Sequence, residues 1–136
     1  MADVIRLLEV REAPLSVDEV YASVTDPRSG GTALFVGTVR DHDGGRGVGG
    51  LAYSAHPSVV DTLRAVAERV AAQHPVHALA AIHRVGDLAV IVAVSCAHRG
   101  QAFDAARQLI DDLKATVPIW KHQTFDDGSD EWVGLP

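Results

Sequence analysis

Several features that would assign this chain to a broad class are missing from its sequence. There is a single cysteine, Cys96, so no disulfide can form within the chain, and this count fits a reducing cytoplasm. No run of apolar residues approaches the roughly 20 that are needed to span a bilayer. The first residues lack the basic-then-apolar layout of a secretory signal peptide. The sequence therefore predicts a cytoplasmic protein with no membrane association.

An excess of positive charge is also missing. The chain has 12 Lys and Arg against 18 Asp and Glu, and the net charge of −6 argues against a general nucleic-acid-binding surface. Any anion site must therefore be a local basic pocket on an acidic body. With 136 residues, of which 47% are hydrophobic and 22% charged, the chain is predicted to form a single globular domain, 1–136.

Lysine is nearly absent, because Lys114 and Lys121 are the only lysines among the 12 basic residues. An ammonium, unlike a guanidinium, can donate, accept or attack near neutral pH in a suitable environment. Pro118 cannot continue a helix, so Lys114 is predicted in the last turn of one and Lys121 on the extended segment that follows. Two lysines that approach one cleft from different elements would form an anion or acid–base site. The alternative is a helix-terminal charge and a solvated strand lysine.

Three helices are predicted from capping signals and from the spacing of apolar residues. Ser16 followed by Glu19 has the form of a capping box, which predicts a short helix ending near Val24. Apolar residues recur at helical spacing over 59–73 and over 101–115. The buried faces are predicted to be Val59, Leu63, Val66, Ala67 and Val70 in the first segment, and Phe103, Ala106, Leu109, Ile110 and Leu113 in the second.

The strands are predicted from β-branched and apolar segments at 4–10, 32–39, 51–55, 78–83 and 88–97, with short strands around a polar turn at 126–130. Segment 88–97 is nearly continuous in Val, Ile and Ala and is predicted to be central in the sheet, joined to 78–83 by a turn at 86–87. The glycine-rich run 44–50 lacks the ending of a phosphate-binding P-loop and is interpreted as a mobile hairpin loop. The order β-α-β-β-α-β-β-α-β predicts an α+β fold with helices packed on a mostly antiparallel sheet.

Polar residues follow two of these strands at positions where ligands often bind. His98 and Arg99 lie where a buried strand stops and a helix starts, and the free N–H groups of a helix start favour anions. Arg40 and His42 occupy a similar strand end. Each pair is a candidate ligand-binding position, and neither is specific alone.

Two other kinds of site are weighed against an anion site. Cys96 and His98 are two residues apart and share a strand face, so they could form the pair of a cysteine hydrolase. Cys96, however, ends an apolar strand, where cysteine usually acts as a small buried hydrophobe. The seven histidines include no His-x-His or His-x-x-x-His pair, which gives no metal-binding pattern.

Four segments carry a resemblance to a known family. They are FVGTVRDH at 35–42, IHRVG at 82–86, SCAHR at 95–99 and LKATVPIWK at 113–121. In this order they resemble the large, catalytic subunit of molybdopterin synthase, the MoaE family, over about 33–133. The segments 95–99 and 113–121 are each fairly specific, and together they make the resemblance strong.

The resemblance implies a function, a partner and a fold. The family installs two sulfurs in cyclic pyranopterin monophosphate as a dithiolene and so forms molybdopterin. The sulfur arrives as a thiocarboxylate on the C-terminal Gly-Gly tail of a small ubiquitin-like, MoaD-like subunit. The large subunits form the homodimer core of a heterotetramer. The fold would be of the α/β-hammerhead type, and no metal or cofactor is implied for this chain.

The resemblance also implies roles for individual residues. The chain departs from the family pattern after the second lysine, where relatives usually carry a basic and then an acidic residue. An alternative is a non-catalytic partner of a ubiquitin-like sulfur carrier. The residues that match the family's functional positions are the catalytic Lys114 and Lys121 and the substrate-binding Thr38, Val39, Arg40, His98, Arg99, His122 and Gln123, with His98 and Arg99 at the pterin phosphate.

Overall fold

The structure is a computed structural model that describes residues 4–11, 13–38, 42–43, 46–55, 59–84, 90–116, 119–125 and 130–134. Within 42–55 and 119–134 the description covers the strand backbones. The elements in chain order are β1 (Ile5–Arg11), α1 (Val17–Ser23), β2 (Gly31–Gly37), β3 (His42–Asp43), β4 (Arg46–Ala55), α2 (Val59–Gln73), β5 (Val76–Arg84), β6 (Val90–Cys96), α3 (Arg99–Thr116), β7 (Ile119–Phe125) and β8 (Asp130–Gly134).

The strands form two four-stranded sheets. The first sheet has the order β1-β5-β6-β2, in which β1 runs parallel to β5 and the other pairs are antiparallel. The second sheet has the order β3-β4-β7-β8 and is antiparallel throughout. All seven residues of β6 are buried, which confirms its predicted central place. The α+β class with a mostly antiparallel sheet is also confirmed.

Helices cover both faces of the first sheet, and successive residues of β5 therefore belong to different cores. Leu79 and Ala81 join the cluster beneath α2 and α3. Ala78, Ala80 and Ile82 join the cluster beneath α1. This alternation follows from the period of two along a strand, and a sheet buried on both faces explains the continuous apolar character of β6.

The helix starts and faces agree well with the sequence. The Ser16 hydroxyl accepts a hydrogen bond from the Glu19 N–H at 3.2 Å, and α1 ends at Ser23 with Val24 as its C-cap. The prediction that Ser16 caps α1 is therefore confirmed, as are the bounds 59–73 for α2. The Glu19 carboxylate accepts from Arg11 at 2.6 Å, so the contact from Ser16 is the half of the capping box that forms. The five residues predicted to be buried in α2 are all buried: Val59, Leu63, Val66, Ala67 and Val70.

One prediction about α3 is wrong. Phe103 was expected on the buried face, but it is 64% exposed. Ala106, Leu109 and Leu113 are buried as predicted, and Ile110 packs partly against the same core. The face that contacts the sheet starts with small residues, since the other buried positions are Ala102 and Ala105. Phe103 is about 100° around the helix from Ala102, which places it outside this face.

The interpretation of the glycine-rich run as a mobile loop is also wrong for most of its length. Residues 46–50 belong to β4, whereas 44–45 lie outside the described residues. Gly47 pairs with His42 of β3, and Gly50 pairs with Thr124 of β7. Ladder hydrogen bonds use backbone groups that glycine retains, so pairing on two sides overcomes its flexibility. The sequence did not predict β3, which forms by pairing with the start of β4. The turn predicted at 86–87 lies outside the described residues.

Candidate functional site

The junction between β6 and α3 places a histidine and an arginine, His98 and Arg99, at the positive end of a long helix. The His98 N–H donates to the side-chain oxygen of Gln101 at 3.2 Å, and the His98 carbonyl accepts from the Ala102 N–H at 3.2 Å. His98 is therefore the N-cap, and Gln101 supplies one half of a capping box. The first N–H groups of α3 have no partner within the helix, which leaves donors available for an anion.

An open cleft of about 490 Å³ lies at this junction, and Gly30, Ala97, His98 and Arg99 line it. His98 and Arg99 are both exposed. Within the described part of the chain, neither side chain forms an ion pair or hydrogen bond, so both remain available to a ligand. Free N–H groups, an arginine and a histidine around one cleft suit a phosphate, because charge-assisted hydrogen bonds to phosphate oxygens are strong.

The loop between α1 and β2, which contributes Gly30 to the cleft, is held at several points. The Gly30 N–H donates to the Ala97 carbonyl at 3.2 Å. Ser29 Oγ lies 2.8 Å from His77 Nδ1 of β5. Asp26 accepts from Arg28 at 2.8 Å and from Arg6 at 3.0 Å. These guanidinium hydrogen bonds, those of Arg28 above all, hold the pKa of the Asp26 carboxyl well below its usual range. The loop is therefore a fixed part of the cleft.

The two lysines lie on different elements, as Pro118 predicted. Lys114 is exposed in the last turn of α3, which ends at Thr116. Lys121 lies in β7, where its backbone pairs with Tyr53 of β4 and Val133 of β8. Lys121 thus follows Lys114 on a strand in the middle of the second sheet.

The structure does not bring Lys114 to the cleft of its own chain. Lys114 lies 15 residues after Arg99 on the same helix, so their Cα atoms are about 22 Å apart along its axis. A phosphate bound beside Arg99 would therefore be remote from the Lys114 backbone of the same chain. The predicted site falls into two parts, one at each end of α3.

Of the remaining predicted site residues, Thr38 follows β2 of the first sheet, and His122 and Gln123 lie in β7 of the second. Thr38 is exposed directly after β2, and Val39 and Arg40 lie outside the described residues. His122 pairs with Ala52 and Trp132, and Gln123 pairs with Leu51 and Glu131. Lys121, His122 and Gln123 are thus consecutive residues of β7.

Cys96 is a poor candidate nucleophile. It is fully buried at the end of β6, and burial raises the pKa of its thiol. A reactive thiol needs partial exposure and a positive environment, so the buried-hydrophobe interpretation is favoured over a Cys96–His98 hydrolase. In the described part of the chain, no group of three or more His, Cys, Asp or Glu could hold a metal ion. Among the same residues, no helix is long and apolar enough to cross a membrane.

Two glycines in the cleft wall were not identified from the sequence. The structure places Gly30 and Gly31 against the backbone of residues 97–99, a contact that composition alone does not indicate. The available signal was a Gly-Gly pair directly before the strand predicted at 32–39. Such a pair often marks a close approach between backbones.

The family of the chain follows from a match of residues 10–116 to the model of the MoaE protein. The chain belongs to the MoaE family. Among MoaE relatives, it is 45% identical over 129 residues to molybdopterin synthase catalytic subunit 1 of Mycobacterium tuberculosis (strain ATCC 25618 / H37Rv), which covers 90% of this chain and 87% of the relative. It is 37% identical over 132 residues to the molybdopterin synthase catalytic subunit of Bos taurus. That match covers 93% of this chain and 70% of the relative.

A solved structure agrees with the MoaE assignment. The crystal structure of molybdopterin synthase from Staphylococcus aureus matches with a TM-score of 0.86 at 28% identity. The match covers 93% of this chain and 96% of that chain. It therefore extends across both sheets and all three helices rather than one shared motif.

Proposed function

We propose that this MoaE chain is the catalytic subunit of a molybdopterin synthase. It transfers sulfur from the thiocarboxylated tail of a small ubiquitin-like subunit to cyclic pyranopterin monophosphate, in the biosynthesis of the molybdenum cofactor. The observation that carries the proposal is the family match over 10–116, which includes both the cationic cleft and Lys114. Relatives named catalytic subunits, at 45% and 37% identity, support it.

The cleft at the start of α3 suits the phosphate of this substrate. Arg99 offers a planar pair of N–H donors to phosphate oxygens, and a protonated His98 adds a second cation. The first N–H groups of α3 add dipoles of the same sign. We assign His98 and Arg99 to phosphate binding, with Thr38, Val39, Arg40, His122 and Gln123 as further substrate-binding residues.

The lysines suit the sulfur-transfer steps. Each transfer forms a carbon–sulfur bond on the pterin side chain and breaks the carbon–sulfur bond of the thiocarboxylate, and water converts the tail to an ordinary carboxylate. Each also breaks a carbon–oxygen bond of the pterin side chain, whose oxygen stays on the phosphate when the cyclic ester opens or leaves as water. These steps develop negative charge and need proton transfers. Lys114 and Lys121 can donate protons and stabilise that charge, and we assign both to catalysis. The single free cysteine, which is buried, supports a reducing cytoplasm as the place of reaction.

The division of the site supports a homodimer in which two chains build each active site. Arg99 and Lys114 are about 22 Å apart along α3 in one chain. An antiparallel approach of two copies would instead bring Lys114 of one subunit to His98 and Arg99 of the other. We propose this arrangement as the core of a heterotetramer with one small subunit at each end.

Mixed dimers test the shared site. We would pair a Lys114→Ala chain with an Arg99→Ala chain under separate affinity tags. In a shared site, one of the two active sites combines both substitutions and the other contains neither, so about half of the wild-type activity returns. In a site confined to one chain, every site has one defect and the mixed dimer stays as inactive as its parents.

Reconstitution tests the function itself. The protein is mixed with a thiocarboxylated small subunit and cyclic pyranopterin monophosphate, and the dithiolene product is measured. We expect Lys114→Ala and Lys121→Ala each to lower turnover by about 10²-fold or more, as for lost proton-transfer groups. Arg107→Ala is the matched control, because it removes an exposed cation of α3 whose partner is Asp111 at 3.8 Å. Unchanged turnover in both lysine variants would refute the catalytic assignment, and small-subunit binding without product would indicate a non-catalytic partner.

A further inference from the structure

The start of β2 approaches the first turn of α3 more closely than any side chain would allow. A Cβ atom on Gly31 would lie 2.9 Å from the N atom of Arg99, 2.9 Å from its Cα and 3.2 Å from the carbonyl carbon of His98. A Cβ atom on Gly30 would lie 2.7 Å from the Ala97 carbonyl oxygen. Neither glycine has the positive φ that favours glycine. Close contact between backbones is therefore the reason that both positions need glycine.

The atoms that a Gly31 side chain would meet cannot rotate away. They are backbone atoms at the N-cap and first residue of α3, so a side chain at 31 must displace the turn that carries the Arg99 N–H and guanidinium. Displacing β2 instead is opposed by its pairing, since Gly31 is in register with Cys96 of the central strand. Any added bulk therefore moves the proposed phosphate-binding groups.

The loop before Gly31 is tied to the rest of the fold by two hydrogen bonds, which oppose its displacement. Ser29 is hydrogen-bonded to His77 at 2.8 Å, and Gly30 to Ala97 at 3.2 Å. The loop thus forms a fixed support that sets the position of the helix start.

We propose that Gly31 is a positioning residue for the substrate phosphate, and that it acts through Arg99. This inference rests on the proposed function, because it assumes that Arg99 binds the phosphate. Gly31 has no group that could itself contact substrate. Its contribution is the space that lets the first turn of α3 sit where the Arg99 guanidinium meets the phosphate.

A double-mutant cycle tests the proposal. We would measure KM for cyclic pyranopterin monophosphate and kcat for wild type, Gly31→Ala, Arg99→Ala and the double variant. We expect Gly31→Ala to raise KM about tenfold, the size expected for one lost charged hydrogen bond, with kcat within about twofold of wild type. If Gly31 acts through Arg99, the double variant has the KM of Arg99→Ala alone. Multiplicative effects on KM would overturn the proposal.

A destabilised control separates positioning from loss of stability. Ala80→Val crowds the core beneath α1, on the sheet face opposite α3, and we expect it to lower Tm without changing KM. A raised KM in Ala80→Val would attribute the Gly31 effect to stability and reject positioning.

If Gly31→Ala does not fold, Ser29→Ala replaces it, since this variant removes the hydrogen bond to His77 that supports the loop without adding bulk. A raised KM in Ser29→Ala then supports positioning, and an unchanged KM rejects it.

The outcome for Arg99→Ala distinguishes the two levels of inference. If Arg99→Ala raises KM and Gly31→Ala does not, the positioning role is wrong and the phosphate assignment stands. If Arg99→Ala also leaves KM unchanged, the phosphate assignment fails and the positioning role fails with it.

Discussion

The buried hydroxyl of Ser95 allows a stability prediction whose size can be worked from the structure. Ser95 is fully buried in β6, and its Oγ donates to the Val24 carbonyl at 2.7 Å. This bond joins the end of α1 to the central strand. Ser95→Ala removes the donor and leaves the carbonyl of a fully buried residue without that partner. Such an orphaned group costs about 1–3 kcal/mol.

This free energy converts to a measurable change in melting temperature. For 136 residues, an unfolding entropy of about 2.1 cal/mol/K per residue gives about 0.29 kcal/mol/K. A loss of about 2 kcal/mol then lowers Tm by about 7 °C. Far-UV circular dichroism during heating measures the shift. All variants must be compared at one protomer concentration, because association would add to stability.

Ser23→Ala is the matched control for Ser95→Ala. The Ser23 hydroxyl also donates to a backbone carbonyl at 2.7 Å, that of Val20, but the bond is only part-buried. Water can replace a part-buried donor, so we expect a loss of about 0.5 kcal/mol or less, or about 2 °C. The reasoning fails if Ser95→Ala lowers Tm no more than Ser23→Ala does.

Three further predictions concern the core, a histidine and the cysteine. Leu109→Ala should lower the free energy of unfolding, measured in urea, by about 2–5 kcal/mol, because Leu109 is fully buried. Phe103→Ala should change it by less than about 0.5 kcal/mol, because Phe103 is exposed. Equal effects would contradict the assigned face of α3. Burial lowers the pKa of His83 below 6.5, so the unfolded chain takes up its proton first and stability should fall as pH drops below about 7; His83→Gln should reduce this pH dependence, and an unchanged slope would refute the assignment. Cys96 should resist 5,5′-dithiobis(2-nitrobenzoic acid) in the native protein and titrate as one thiol per chain in guanidinium, since its thiol is buried; rapid native reaction would contradict that burial.

The helices could be predicted from sequence because their signals are local. Ser16 and Glu19 lie three residues apart and cap α1 through their own contact. The apolar spacing of α2 identified both its bounds and its buried face. The predicted burial of Phe103 was wrong because apolar character alone does not show which residues of α3 face the sheet. That depends on how α3 is rotated about its axis against the sheet, with Ala102 and Ala105 in the core, which is a tertiary property.

The second sheet was harder to predict for a similar reason. Residues 46–50 have the composition of a flexible loop, and only pairing with β3 and β7 makes them a strand. The candidate site likewise has a part that could be predicted from local sequence and a part that could not. The position of His98 and Arg99 at a strand-to-helix junction could be read locally. The contact of Gly31 with that junction and the separation of Arg99 from Lys114 depend on the folded arrangement.

The strand order of the first sheet has a consequence for how a nascent chain folds. β1 and β2 are separated in the sheet by β5 and β6, and Ile5 of β1 pairs with Leu79 of β5, 74 residues later. At about 5–20 residues per second, a ribosome needs about 4–15 s to synthesise that interval. During this time the N-terminal third has no strand partner in its own sheet. β1 gains its partner once β5 has been synthesised, whereas β2 gains its partner only with β6, so the sheet closes around the last two of its strands to be made.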